Sequence, residues 1–352
     1  MSARRPYVLI TGGAGFIGTN LASRLVDEGR RVLVLDSLAR PGVEANLRWL
    51  KVTCGGQLDS MVADVRDRAA VRAAVRGAES VFHLAAQVAV TTSLESPVDD
   101  FEVNLHATLI LLEELRALPN PPPLLYTSTN KVYGNLPDVR LMRVGERWEP
   151  VDRRLRAAGI AEDRPLAFCT PYGCSKGGAD QYVLDYAHMF GLPTAVFRMS
   201  CIYGPHQHGT EDQGWVAHFL LAAEAGEPLT VYGDGAQVRD VLYVTDLVDA
   251  MLRVEEDLDR LAGTAFNVGG GPENTVSLLE LMQMIAELEQ RPLEPTFAAE
   301  RAGDQRWYVS DTSRLRRALG WASDVRVQEG VASLHEWVLR GADRGVAAAS
   351  AR

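Results

Sequence analysis

Residues 7–18, YVLITGGAGFIG, constrain the fold more tightly than any other stretch of the 352-residue chain. Residues 8–11 are apolar or β-branched and predict a short buried strand. Gly12, Gly15 and Gly18 follow at once, and LASRLVDEG behind them carries the period of a helix. Strand, glycine turn and helix in that order make a phosphate-binding element. The first glycine permits the tight turn, the second lets the backbone approach a pyrophosphate, and the third lets the helix pack on the strand. Backbone N–H groups and the dipole at the helix start then attract the phosphates. A second strand is expected over 31–35, ending at Asp36. An acidic side chain about twenty positions past the glycines suits the hydroxyls of an adenine ribose and repels a 2′-phosphate, which argues for NAD over NADP.

Behind this element strand and helix alternate. Strands are expected near 62–63, 81–84, 124–127 and 195–197, and helices over 68–75, 98–118 and 172–190. Such alternation predicts an α/β fold, a doubly wound parallel Rossmann sheet with ligands at the carboxyl ends of its strands. Beyond residue 198 the pattern loosens. The loop YGPHQHGTEDQG leads to a helix over 215–225, a strand over 229–232, a GDG turn, a strand over 241–244 and a helix over 245–256. Ser277 and Glu280 form a capping box ahead of a further helix, and a last helix covers 327–339. We therefore expect an NAD-binding domain of residues 1–198, with about 234–264 returning to it. A smaller, partly discontinuous C-terminal substrate domain takes 199–233 and 265–345. The polar, arginine-rich stretch 137–167 is too long for an ordinary connection and reads either as a functional lid or as a disordered insert.

Composition narrows the partners. A hydrophobic content of 47% and a charged content of 23% are those of a soluble globular protein. A net charge of -10 argues against nonspecific binding to nucleic acid or to an acidic membrane. No apolar run is long enough to span a bilayer, and MSARRP runs straight into the first strand, so no signal peptide fits. Cys54, Cys169, Cys174 and Cys201 show no CxxC spacing and suit a reduced, cytoplasmic protein. No His/Cys/carboxylate group has metal-ligand spacing, so no metal is expected.

Tyr172-Gly-Cys-Ser-Lys176 opens the helix expected over 172–190, and a spacing of four puts both side chains on one face. A tyrosine titrates at about 10 and is a poor base at neutral pH; an ammonium close by favours the phenolate and lowers that value. The same lysine can hold a nicotinamide ribose. Thr129, at the end of its strand, can share a substrate hydroxyl with Tyr172, although a hydroxyl there also suits a turn. His206 and His208 sit in a loop that could face a sugar, but a solvated or structural role fits both better.

Together, TGGAGFIG, Asp36, the HLAAQ turn, Asn104, Thr129 and YxxxK resemble the extended short-chain dehydrogenases that epimerise or dehydrate nucleotide sugars. Within them, QVAVTTS, YTSTNKVYG, TPYGCSKGGADQYVLDYA, DQGWVAHF and GDGAQVRDVLYVTDL are similar to the CDP-sugar 2-epimerase subgroup. The likeness runs from the first strand to the neighbourhood of Trp337 and includes the insertion between Tyr133 and Tyr172. It implies roles by position. Gly12, Gly15, Phe16, Ile17, Gly18, Asp36, Ser37 and Arg40 would hold NAD, with Asp64 and Val65 near the adenine. Leu84, Ala85, Ala86, Gln87 and Thr127 would line the path to the nicotinamide, and Asn104 would order the active-site helix. Tyr172 would be the base, Lys176 its partner and Thr129 the auxiliary hydroxyl, with Asn130 and Lys131 in reach of a sugar hydroxyl or phosphate. Arg239 and Arg301 would grip the diphosphate, since a guanidinium pairs bidentately with phosphate. Asp304, Val231 and Tyr232 would frame the ribose and base. Trp215, beside Gly214, would stack on the base or fill the core. Cys201, with Ser200, stands in a turn where the family often has Asn.

The resemblance implies an NAD-dependent epimerase that moves a hydride from a carbinol carbon to NAD and returns it to the other face, at C2 of a CDP-3,6-dideoxyhexose-like substrate. A UDP-hexose or uronate 4-epimerase would use the same residues on C4. A 4,6-dehydratase needs an acid pair, usually Asp-Glu, directly after the threonine, and the decarboxylases usually carry a glutamate there; this chain has Asn130-Lys131. A non-catalytic NAD-binding protein would not need Tyr172, Lys176 and Thr129 together. The family's habit also implies a homodimer through a four-helix contact, formed by 98–118 and 177–190 with Leu109, Leu112, Tyr182 and Tyr186 on the joining face.

Overall fold

Strands buried on both faces must be apolar at successive positions, because alternate side chains go to opposite sides. β1 (Tyr7–Thr11) sends Val8 and Ile10 into one core and Leu9 into another. β2 (Val32–Asp36) does the same with Val32 and Val34 against Leu35. In the computed structural model of the chain, which describes residues 6–301 and 303–350, these strands join β3 (Leu58–Val62), β4 (Ala78–His83), β5 (Leu124–Thr129), β8 (Thr194–Met199) and β12 (Thr264–Val268). The sheet is parallel throughout, in the order β12-β8-β5-β4-β1-β2-β3. The order reverses between β1 and β4, and a crevice opens there at the carboxyl ends.

Helices cover both faces. On one side lie α1 (Phe16–Asp27), α2 (Val43–Cys54) and α10 (Val244–Glu256), whose Leu21, Leu47 and Met251 pack with Phe82, Phe197 and Phe266. On the other lie α3 (Arg68–Val75), α6 (Ala107–Arg116) and α8 (Thr170–Phe190), whose Val71, Leu111 and Val183 pack with Leu9, Val81 and Tyr126. Short helices α4 (Val90–Glu95) and α5 (Pro97–Phe101) lead into a π-turn, Glu102–His106, ahead of α6. The helix expected over 98–118 is therefore one rod with a wide turn inside it. Of the residues expected on a joining face, Leu112 and Tyr186 lie in the core of the chain instead. α2 follows Gly42, at φ 87, and has no capping side chain, so nothing in its sequence announces its start.

The smaller layer forms around β11 (Val238–Tyr243), which pairs with β9 (Cys201–Tyr203) and β15 (Trp307–Tyr308) in parallel and with β13 (Thr275–Ser277) antiparallel. The large sheet thus takes back residues 244–268, through α10, α11 (Leu258–Leu261) and β12, where the sequence places the return at about 234–264. α9 (Trp215–Ala225), α12 (Leu278–Glu289) and α14 (Val327–Ser350) enclose Phe219, Leu220, Ile285 and Leu334. The capping box on α12 forms, with Glu280 N donating to Ser277 Oγ at 3.1 Å and Ser277 N to Glu280 Oε2 at 2.8 Å. β10 (Thr230–Tyr232) pairs with β14 (Thr296–Ala298), while α13 (Ser313–Leu319) packs its Leu315 into the core of the large sheet beside β12.

The stretch 137–167 is ordered. It forms a hairpin of β6 (Leu141–Val144) and β7 (Arg147–Pro150), then α7 (Arg153–Ala158) with Asp152 as its N-cap. Several of its backbone polar groups find partners outside the stretch. Trp148 N donates to Ala236 O at 2.8 Å, Ile160 N to Val309 O at 2.7 Å, and Asn267 Nδ2 of β12 to Ile160 O at 2.7 Å. The stretch therefore straps the outer edge of the large sheet to the smaller layer. Residues 1–5, where the sequence argues against a leader, lie outside the described residues.

Candidate active site

The glycines do what their spacing requires. Gly12 adopts φ +68, and a Cβ on it would stand 2.7 Å from Ala85 N in the turn after β4. A Cβ on Gly18 would stand 2.5 Å from Gly13 Cα and 2.6 Å from Gly12 O, so only glycine lets α1 sit this close to the turn. Gly15 is the N-cap of α1 and no side chain caps that helix, which leaves its first N–H groups open to an anion. Phe16 and Ile17 pack on the first core. At the end of β2, Asp36 accepts from Ala14 N at 3.0 Å and from Leu38 N at 2.9 Å, which holds its carboxylate beside the glycine turn. Ser37 and Arg40 are exposed just beyond it. Asp64 is clamped by Arg66 at 2.7 Å, whose hydrogen bonds hold the carboxyl below its usual range. The Val65 side chain points into the core. These features fit the two phosphates and the adenosine of NAD.

The turn 84–87 is tied to the chain around it. Leu84 N donates to Thr11 O at 3.0 Å, and Ala85 N lies 3.4 Å from Thr11 Oγ1. Gln87 exchanges backbone hydrogen bonds with the Asn104 amide, at 2.9 and 3.0 Å, and Ala86 lies between these ties. Asn104 sits in the π-turn, which adds a residue to the helix and marks a site where backbone regularity has been given up. Beneath the turn, buried His83 bridges Thr11 at 2.6 Å and Thr108 at 3.0 Å; burial, with Lys176 nearby, lowers it to about 3, so the ring is neutral.

Tyr172 and Lys176 share a face of α8, and Thr129 at the end of β5 acts on the Tyr172 phenol. Lys176 Nζ donates to Thr127 O at 2.5 Å and lies 4.4 Å above the Tyr126 ring. Burial pushes Lys176 down to about 7 against the pull of Asp180 and Asp100. Burial pushes the Tyr172 phenol up to about 12, with Thr129 acting the other way and Asp100 adding to the rise. The sequence expects the ammonium to lower the phenol. Instead the ammonium is turned to the Thr127 carbonyl, and burial decides the phenol.

Beside this pair Lys131, Arg239 and Asp304 converge from three segments. Arg239 Nη2 donates to Asp304 Oδ1 at 2.5 Å, Lys131 Nζ lies 3.9 Å from the same oxygen, and it donates to Gly303 O at 3.1 Å. Burial and Arg239 bring Lys131 down to about 8. Asn130 Nδ2 donates to Gln305 Oε1 at 3.3 Å, and Gln305 Nε2 to Gly134 O at 2.5 Å. Arg301 lies 3.7 Å above the Tyr232 ring, its Nη1 donates to Glu211 O at 2.8 Å, and it pairs with Asp212 at 3.4 Å. Trp215 Nε1 points at Cys201 Sγ, 3.4 Å away, and Gly214, at φ 76, starts α9. Val231 is fully buried in the smaller core, so its side chain does not frame a ligand. His206 lies tilted 4.2 Å from the Trp49 ring and edge-on 5.4 Å from the Trp337 ring, and His208 meets Asn46 at 3.2 Å; both pack on the structure rather than on a sugar site.

Sequence spacing misses Asp100, Ser175 and Gln305, which meet the site through tertiary neighbours; the one available signal is that Asp100 precedes Asn104 by one helical turn. Among the described residues, Glu224, Glu289 and His335 bring ligand atoms within 4.8 Å of one another. They sit on three helices, so no motif shows them. His335 meets Glu289 at 2.9 Å, and Arg291 meets the same carboxylate at 3.5 Å. No described helix is long and apolar enough to cross a membrane.

Residues 8–269 match the family described as "NAD dependent epimerase/dehydratase family". The CDP-paratose 2-epimerase of Salmonella typhi is 40% identical over 337 residues, 94% of this chain and 98% of that protein. The UDP-glucose 4-epimerase of Mycolicibacterium smegmatis is 33% identical over 332 residues, 94% and 97% of the two chains. The crystal structure of the Thermus thermophilus UDP-glucose 4-epimerase in complex with NAD is similar at a TM-score of 0.77 and 32% identity, covering 94% of this chain and 98% of that one.

Proposed function

Because the chain belongs to the NAD dependent epimerase/dehydratase family, we propose that it inverts one carbinol carbon of a nucleotide-diphosphate sugar with a resident NAD. We take that carbon to be C2 of a CDP-3,6-dideoxyhexose-like substrate. Bound NAD would supply the acceptor and then the donor of the sugar's hydride, so no net redox would occur. Asp36 and the uncapped start of α1 hold the adenosine and phosphates. Lys176 holds the nicotinamide ribose hydroxyls. Tyr172, with Thr129 sharing the hydrogen bond, takes the proton of the sugar hydroxyl and gives it back. Arg239 and Arg301 grip the diphosphate, so the sugar can turn its other face while its nucleotide stays anchored.

The observation that carries the reading is the group after Thr129. A dehydratase needs a carboxylic acid there to protonate a leaving hydroxyl, and Asn130 and Lys131 cannot act so. Asp304, which reaches Lys131, does not replace it: burial pushes its pKa up, but Arg239 and Lys131 outweigh that and hold the carboxyl below its usual range. Likeness to a 2-epimerase over nearly the whole chain supports C2. Likeness to a UDP-glucose 4-epimerase supports a second reading, inversion at C4 by the same residues. A homodimer through α5 and α8 belongs to the proposal, supported by Val98 and Met189 at 69% exposure and Phe101 at 49%. A cytoplasmic setting belongs to it too, supported by four cysteines that are all free.

The test is to incubate the purified protein, with no cofactor added, with CDP-paratose, UDP-glucose and UDP-glucuronate in turn and to read product configuration by NMR. Inversion of CDP-paratose at C2 is expected. Inversion only of a UDP-sugar at C4 would favour the second reading, and a requirement for added NADP would contradict both.

A further inference from the structure

Asp100, on α5, is a buried carboxylate that the chemistry above does not use; it is 1% exposed. Its Oδ2 accepts from Ser175 Oγ at 2.5 Å, and its Oδ1 accepts from Gln87 Nε2 at 3.0 Å and Asn104 Nδ2 at 3.1 Å. The three donors come from three elements. Gln87 ends the turn on the path to the nicotinamide, Asn104 sits in the π-turn, and Ser175 lies on α8 between Tyr172 and Lys176. Burying a carboxylate is costly unless hydrogen bonds satisfy it, and these donors do so while joining the elements.

The charge has a second use. The Lys176 ammonium is faced by Asp180 and Tyr172 on its own helix, Asp100 from α5, His83 from β4 and the Tyr126 ring from β5. Asp180, the stronger pull on Lys176, is itself paired with Arg198 through two hydrogen bonds of 2.9 Å, both groups buried. His83 is neutral. The hydrogen-bond donors to Asp100 are a hydroxyl and two amides, all uncharged. Asp100 is therefore the carboxylate near Lys176 whose charge no hydrogen-bonded cation offsets.

We propose that Asp100 is a positioning residue: it locks the helix bearing Tyr172 and Lys176 to the turn 84–87, and its carboxylate there favours the ammonium form of Lys176. The proposal rests on the reading that Tyr172 and Lys176 serve the sugar hydroxyl and the ribose.

The chain has three lysines, Lys51, Lys131 and Lys176, so each can be followed by 13C-lysine NMR on the NAD-loaded protein, with Lys51→Arg and Lys131→Arg giving the assignment. Asp100→Asn should lower the Lys176 titration midpoint by about one pH unit, because an opposing charge favours the ammonium. It should also cut kcat for the sugar that the enzyme inverts by roughly tenfold, from lost geometry. Ser175→Ala keeps the charge and removes one tie, so kcat should fall with the midpoint unmoved. Asp100→Glu keeps the charge with a longer arm and should behave the same way, which leaves two variants to decide if Asp100→Asn does not fold. An unchanged Lys176 midpoint in Asp100→Asn, or wild-type kcat in both Ser175→Ala and Asp100→Glu, would overturn the proposal. The lysine titration needs no substrate. A Tyr172→Phe enzyme that still turned over would therefore sink the functional reading while leaving this measurement to be judged on its own.

Discussion

A phenol raised to about 12 by burial, as Tyr172 is, needs every group that favours its ionised form, and Thr129 is the group in the structure that lowers it. Tyr172→Phe keeps the ring's packing and removes only the acid–base group. Turnover should fall by about 10²–10⁴-fold while NAD content stays at the wild-type level; activity assay and cofactor extraction on one preparation read both, and a variant that kept most of its kcat would remove Tyr172 from the chemistry. At this scale the sequence is legible where roles follow from spacing along one helix. Tyr172 and Lys176 are one turn apart on α8, so their shared face is visible in the letters. Asp100, Ser175 and Gln305 are not, because each acts through a neighbour brought in from another segment. Val231 shows the converse: its position in the chain suits a ligand frame, but strand alternation turns it into the smaller core.

Elements are legible where burial imposes a pattern. The parallel strands read as apolar runs because both faces are covered. The π-turn at Glu102–His106 does not, since an extra residue breaks the helical period. α2 escapes a reading of the letters because a left-handed Gly42 replaces the usual capping side chain. The strap over 137–167 is visible only as an anomaly of length; what orders it is pairing with Ala236, Val309 and Asn267, all distant in sequence. The capping box on α12 is fully local and so fully legible. Ser277→Ala removes the acceptor for Glu280 N and should destabilise the protein by about 1 kcal/mol, seen as a lower Tm with NAD content unchanged. An unaltered Tm would mean that the box contributes nothing to α12.

At the scale of the molecule, a crevice at the reversal of the strand order gathers the glycine turn, Asp36, the turn 84–87, Thr129 and α8, while the smaller layer brings Arg239 and Asp304 to Lys131. The exposed apolar residues of α5 and α8 give the outer face a reason to pair. The protein should have twice the chain mass at micromolar concentration, and Phe101→Glu with Met189→Glu should halve it, as light scattering would read; a wild-type monomer would contradict the dimer. The central claim is that a hydride leaves and returns to one carbon without meeting water. CDP-paratose deuterated at C2, turned over in ordinary water, tests it most directly by NMR of the product. The account predicts an inverted C2 that still carries its deuterium. Loss of the label to solvent at the inverted centre would contradict it.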